Sequence, residues 1–130
     1  NKTGSSKYKE NTPVPMVARK VPVKTLDNLV KDKGPFDFIK LDVQGAEIEV
    51  LEGATETLKN VDFLFLECSL LEYNEGAPLA AEVITKLDQL GFRLYDIIPQ
   101  ERVSNLLMQF DAFFVRKDSE FVPKPPFGIG

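Results

Sequence analysis

Between residues 36 and 59 the chain changes its hydrophobic period. FDFIKLDV (36–43) is an apolar-rich run of strand length, and from Gly45 to about Lys59 the residues Ile48, Leu51, Thr55 and Leu58 recur at helical spacing. A run with so little alternation suits a strand covered on both faces, the usual state of a parallel strand. Parallel neighbours cannot be joined by a tight turn, so a crossover must follow, and the helical stretch supplies one.

The same unit is legible on both sides. Thr25 predicts a helix N-cap, with Asp27 in the first turn, apolar Leu26, Leu29 and Val30, and a stop at Gly34-Pro35. VDFLFLECS (61–69) predicts a second buried strand. Pro78 suits the first position of a helix whose stripe is Leu79, Val83, Leu87 and Leu90, ended by Gly91. FRLYDII (92–98) and QFDAFFVRK (109–117) predict two more strands, and QERVSNLL (100–107) between them predicts a loop with a helical turn. VPMVARKVPV (14–23) carries Pro15 and Pro22, which restrict it to an edge strand or an extended segment.

The order is helix, strand, helix, strand, helix, strand, strand, which implies an α/β sandwich with a mostly parallel sheet. The last two strands lack a crossover helix, so the final one is expected to run antiparallel. Organisation follows from the same reading: a loop and edge segment over 1–24, an α/β core over 25–117, and a Pro/Gly-rich tail over 118–130 that docks by its phenylalanines or frays.

Within FDFIKLDV, Lys40 and Asp42 point to the same side of the strand. Buried without partners, either would cost several kcal/mol, so the pair needs a reason. Ligands in open α/β sheets collect outside the carboxyl ends of the strands. Asp42 and Glu67 lie at or near two such ends, and Glu47 lies in the first turn of the following helix. Adjacent strands are about 4.8 Å apart, so Asp42 and Glu67 are within reach of one ligand or cation. Each has a plainer reading. Glu47 alone serves as a helix-dipole carboxylate, Glu67 as a strand-end carboxylate, and Lys40 as a buried ion-pair partner. Gly45 allows a close approach at the strand-to-helix turn, and Gly53 is expected in mid-helix, packed on the sheet.

Composition narrows the chemistry. The chain has no histidine, which removes histidine bases, histidine metal ligands and Ser-His-Asp catalysis together. Proton transfer falls to a carboxylate, a lysine, a tyrosine or water. Net charge is −4 with the basic residues scattered, so nucleic acid is not an expected partner. No apolar run approaches the roughly 20 residues of a membrane span; the longest, FLFLECSLL at 63–71, is broken by Glu67. Cys68 is the single cysteine, which excludes an intrachain disulfide and favours a reducing, cytoplasmic setting.

VPVKTLDNL, FDFIKLDVQGAEIEVLEGA and FLFLEC together resemble the C-terminal half of FkbM-type methyltransferases. The residues that carry the resemblance are Thr25, Leu26 and Asp27; Lys40, Asp42, Gly45 and Glu47; Leu51, Gly53 and Ala54; and Glu67. TGSS at 3–6 extends it, and Gln44 stands where the family often has glutamate. The resemblance implies a class I, Rossmann-like fold of sheet order 3-2-1-4-5-7-6, of which this chain supplies strands 4-5-7-6. It implies S-adenosylmethionine as cofactor, held here through Asp42, Val43 and Gln44. It also implies a small-molecule acceptor, with methyl transfer to a hydroxyl of a sugar or similar compound. Lys40, Asp42 and Glu47 are the expected catalytic residues, and Glu67 with Glu47 the expected acceptor or cation ligands. A divalent metal is compatible with the pattern but not demanded by it.

The family's glycine-rich cofactor loop and its ribose-binding acid have no counterpart in this chain. The expectation is therefore a piece of a longer enzyme, with strand 36–43 covered by the remainder of the domain or by self-association. The competing expectation is a non-catalytic Rossmann-like half-domain acting as a binding or assembly module.

Overall fold

The structure, a computed structural model, describes residues 6–100 and 102–126. Thr25 caps the first helix, α1 (Leu26–Val30), its hydroxyl accepting the Asn28 amide at 3.2 Å. Strand β1 (Phe38–Leu41) follows and is shorter than the apolar run that contains it. The helical stretch beyond it divides into α2 (Glu47–Glu52) and a 3₁₀ turn, Thr57–Asn60. Gly53 is therefore the C-cap of α2 and not a mid-helix residue.

The reason is the docking of α1. A Cβ at Gly53 would meet the Thr25 Cβ at 3.1 Å, and the Asp27 amide donates to the Gly53 carbonyl at 3.0 Å. The Asp27 carboxylate then accepts the Glu56 amide at 3.0 Å, the Thr57 amide at 2.8 Å and the Thr57 hydroxyl at 2.6 Å. The Thr57 hydroxyl, with the two amides, holds the Asp27 carboxyl below its usual range. Thr25-Leu26-Asp27 and the Gly53 region thus form one latch that fastens α1 to the end of α2.

Strand β2 (Phe63–Ser69) leads to helix α3 (Ala80–Gln89), where Glu82 accepts the Leu79 amide at 2.9 Å. Leu79 is the N-cap, so Pro78 lies one residue outside the helix and not at its first position. Strand β3 (Phe92–Pro99) and strand β6 (Gln109–Arg116) flank a small hairpin of β4 (Arg102–Val103) and β5 (Leu106–Leu107). Among the described residues of 100–107 the expected helical turn is absent. Ser104 and Asn105 take φ values of 49° and 68°, the left-handed pair that a two-residue hairpin turn requires. Residues 14–23 form no strand, and Val14, Met16, Val17, Val21 and Val23 are all exposed. No helix among the described residues is long and apolar enough to cross a membrane.

The main sheet has the order β1-β2-β6-β3. β1 and β2 pair in parallel, while β6 is antiparallel to both β2 and β3. The order is that of the expected 4-5-7-6 arrangement, but the sheet is mixed and not mostly parallel. The cause is the insertion of β6 between β2 and β3, which turns two of the three pairings antiparallel although β1, β2 and β3 all point the same way.

One core lies between the sheet and the helices. Leu64, Leu66 and Cys68 of β2 and Phe110, Ala112 and Phe114 of β6 pack with Leu51, Ala54, Leu58, Val83 and Leu87 from the helical layer. The other sheet face is only partly covered. There Phe65 and Phe113 stack with ring centres 4.9 Å apart, Phe38 sits 6.1 Å from Phe113, and Phe121 of the tail docks on Phe63 at 5.2 Å. The alternating burial of β2 follows from this one-sided cover, and it corrects the expectation of strands buried on both faces.

The two sheet edges differ. β3 carries a bulge at Tyr95, and the Asp96 carboxylate accepts the Ile97 amide at 2.8 Å. Both devices discourage further strand pairing. β1 has neither, and Phe38 on it is 49% exposed.

Candidate functional site

The carboxyl ends of β1 and β2 lie side by side because the two strands are parallel and in register, Lys40 opposite Phe65 and Leu41 opposite Leu66. Odd-numbered residues of β2 face away from the helices, which places Phe65 and Glu67 on the half-covered face with Lys40. Lys40, Leu41, Asp42, Phe65, Glu67, Gln100 and Asp111 together line a cavity of about 120 Å³. Lys40 and Asp42 are exposed, so the cost expected for burying them does not arise. The Lys40 ammonium stands 5.9 Å from the centre of the Phe65 ring, a cation–π contact. The side chain that holds Asp42 is Gln44, whose amide donates to its Oδ1 at 3.2 Å.

The turn after β1 is built from two left-handed residues, Gln44 (φ 52°) and Gly45 (φ 101°). At Gly45 a side chain is excluded twice over. The positive φ disfavours it, and an added Cβ would come within 2.7 Å of the Ala77 Cβ and 3.3 Å of the Tyr8 ring. The Gln44 carbonyl accepts the Ser6 hydroxyl at 2.7 Å and the Asn74 amide at 3.1 Å. Residues 6–11 form a strap over this turn: Tyr8 and Lys7 both donate to Glu49, at 2.5 and 2.6 Å. The Asn11 amide reaches the Tyr73 carbonyl at 2.8 Å, and the Glu75 amide reaches the Lys9 carbonyl at 2.7 Å. The strap and the loop after β2 thereby fix the backbone that carries Asp42.

Glu47 is the buried carboxylate of this region, 4% exposed. It turns inward, beneath the turn, and is not among the residues lining the cavity. Its Oε1 accepts the Gly45 amide at 3.2 Å. Burial pushes its carboxyl above the ordinary range, against the hydrogen bonds it accepts from backbone amides. Cys68 lies in the same interior, and burial, with the charges of Glu47, Glu67 and Asp111, pushes its thiol up to about 12. A thiol so placed is inert as a nucleophile at neutral pH.

The structure therefore brings Lys40, Asp42 and Glu67 together and sets Glu47 apart as a brace of the turn. Val43 and Gln44 follow Asp42 in the chain, half-buried, and are not among the residues lining the cavity. Three groups went unnoticed in the sequence. Gln100 and Asp111 line the cavity, and Gln109 donates to Glu67 Oε1 at 2.9 Å and to the Ser69 hydroxyl at 3.2 Å. The polar alternation of Gln109 and Asp111 within an otherwise apolar strand is the signal that would have found two of them. Among the described residues no group of three or more His, Cys, Asp or Glu side chains is placed to hold a metal ion. A larger open groove of about 810 Å³ runs beside α1 and contains none of the expected site residues.

An α/β sheet that gathers a lysine and carboxylates at the carboxyl ends of parallel strands has the layout of a small-molecule site. A model of the methyltransferase FkbM domain matches residues 1–94, and the chain belongs to that family. No curated protein and no solved structure matches the chain.

Proposed function

We propose that this chain forms part of an S-adenosylmethionine-dependent O-methyltransferase that acts on the hydroxyl of a small molecule. The observation that carries the reading is the convergence of Lys40, Asp42 and Glu67 on one cavity at the carboxyl edge of β1 and β2. The sheet order β1-β2-β6-β3 supports reading these as strands 4-5-7-6 of a class I, Rossmann-like domain.

Bound S-adenosylmethionine supplies a methyl group on a sulfonium, ready for in-line displacement. Asp42, with Val43 and Gln44 in the turn that follows it, offers a carboxylate, an apolar side chain and an amide, a set that suits part of such a cofactor. Catalysis then rests chiefly on positioning. Asp42 orients the acceptor hydroxyl and takes its proton as the oxygen gains the methyl group. Gln44 holds Asp42, Lys40 supplies a counter-charge beside it, and Glu67 accepts a hydrogen bond from the acceptor. Glu47 acts through the turn, bracing Gly45 so that Asp42 stays at the rim. The unguarded edge of β1 is paired in the working enzyme, through further strands of the domain or through a second copy.

The test is transfer of labelled methyl from S-adenosylmethionine to a panel of hydroxyl compounds by the enzyme carrying this domain. Label on oxygen is the expected result. Label found only on nitrogen or carbon acceptors, or on none, would overturn the proposal. The 130-residue chain alone should bind the cofactor more weakly than micromolar, and micromolar binding by calorimetry would contradict the partial-site reading.

A further inference from the structure

Strand β3 continues past residue 94, where the family match ends. β2 and β3 are both antiparallel to β6, so β3 runs with β1 and β2 and ends at the same sheet edge. Ile98 pairs with Asp111 in the β3–β6 register, so it shares the sheet face of Asp111, which lines the cavity. Gln100, two residues on, lines the cavity itself and leads into the β4–β5 hairpin. Both legs of the hairpin are pinned. The Gln100 amide donates to the Gln109 carbonyl at 3.1 Å, and the Met108 carbonyl accepts the Leu70 amide at 2.7 Å. Leu107 packs against the core, and the Arg102 guanidinium donates to the Asn105 carbonyl at 2.9 Å. Val103 pairs with Leu106, and alternation places this pair on the hairpin face away from Leu107. Ile98, Val103 and Leu106 are 51%, 57% and 55% exposed. A two-stranded hairpin that leaves its apolar pair in water adds little to the core, and loops on a rigid base are where binding residues concentrate.

We propose that Ile98, Val103 and Leu106 form the acceptor-selecting wall of this site, and that the acceptor is an alcohol with an apolar body. The inference rests on the acceptor reading of the cavity given above. At a liquid-water share of about 30 Å³ per molecule, a cavity of about 120 Å³ takes about four heavy atoms. It therefore holds the hydroxyl-bearing end of an acceptor, and the rest of the molecule lies outside, over the rim. On one side the rim is the β1 edge, which strand pairing occupies in the working enzyme. Toward β3 the rim carries Ile98 beside Asp111 and then the hairpin that begins after Gln100. A hydrocarbon body laid there takes these apolar side chains out of water, whereas a body covered in hydroxyls would leave those hydroxyls without partners.

The experiment is a titration of the nitrogen-labelled full chain, followed by NMR, with ethylene glycol and with hexane-1,2-diol. The two probes share a diol head of the size the cavity takes and differ by a butyl chain. The amide signals of Asp42 and Gln100 should move with both, and those of Ile98, Val103 and Leu106 with hexane-1,2-diol alone. The longer diol should bind about tenfold tighter, the gain expected of a butyl chain about half buried. Val103→Thr with Leu106→Thr, which keeps strand propensity, should reduce that advantage to within about threefold. Ile98→Thr provides a second variant should the paired change disturb the hairpin. Equal binding of the two diols, an advantage unchanged in both variants, or no movement at the hairpin amides would overturn the proposal. Hairpin signals that shift on dilution of the chain without diol would assign the surface to a second copy and overturn it as well. Selective binding of the longer diol without methyl transfer by the assembled enzyme would refute the methyltransferase reading and leave the binding inference standing.

Discussion

Gly45→Ala should be one of the most damaging small substitutions in this chain, and its cost can be assembled from two separate terms. The first is conformational: a φ of 101° is outside the range L-residues accept readily, and holding one there costs about 1–3 kcal/mol. The second is steric: the new methyl would lie 2.7 Å from the Ala77 Cβ, which is fixed to backbone and cannot swing away. Overpacking of that kind costs about 1–3 kcal/mol. Local relaxation lets the terms overlap, so the expected loss is about 2–4 kcal/mol, a large share of a domain's usual 5–15 kcal/mol. In urea, at a slope of about 2 kcal/mol per molar, the midpoint should fall by about 1–2 M. The second term can be isolated. Gly45→Ala combined with Ala77→Gly relieves the contact and leaves the φ strain, so the pair should couple by about 1–2 kcal/mol. A loss below about 0.5 kcal/mol for Gly45→Ala, or strict additivity of the two changes, would refute this account of the turn.

Glu47→Gln should be neutral or stabilising at neutral pH, because it keeps the acceptor for the Gly45 amide and removes a buried charge. The raised folded value gives the sign: Glu47 contributes stability below its ordinary value of 4.5, and that contribution is lost as pH rises through the folded value. Urea midpoints should show this loss in the wild type and its absence in Glu47→Gln, while Glu47→Leu should cost about 1–3 kcal/mol by orphaning the amide. Self-association should run through β1: sedimentation of the chain at high concentration should show oligomers that Phe38→Lys suppresses, with Ile97→Lys on the guarded β3 edge much less effective.

How far the sequence reached depended on whether a property is local. Lys40 lies on β1 and Asp42 just beyond its end, two residues on, and both line the cavity, so their common side and their place at the carboxyl edge were legible from spacing alone. Their exposure was not, because burial is decided by what covers the sheet, and here the helices cover one face. Glu47 shows the reverse. Its position in the first turn was evident, but its burial was not, because the turn that carries it is held by residues distant in sequence: Ser6 bonds Gln44 and Tyr8 bonds Glu49, 38 and 41 positions away. Gly53 was misplaced because helical periodicity continues past it, and only the docking of Thr25 reveals that the helix ends there. Gln109 and Asp111 escaped notice because their roles depend on which strand β6 pairs with.

The central claim is that Asp42 orients and deprotonates the acceptor. The most direct test is single-turnover methyl transfer by the assembled enzyme with Asp42→Asn, measured beside the urea midpoint of the same variant. Asp42 is exposed, so the account predicts an unchanged midpoint and a transfer rate lowered by about 10²–10⁴-fold, the usual worth of a positioned base. A rate within about threefold of wild type would contradict it.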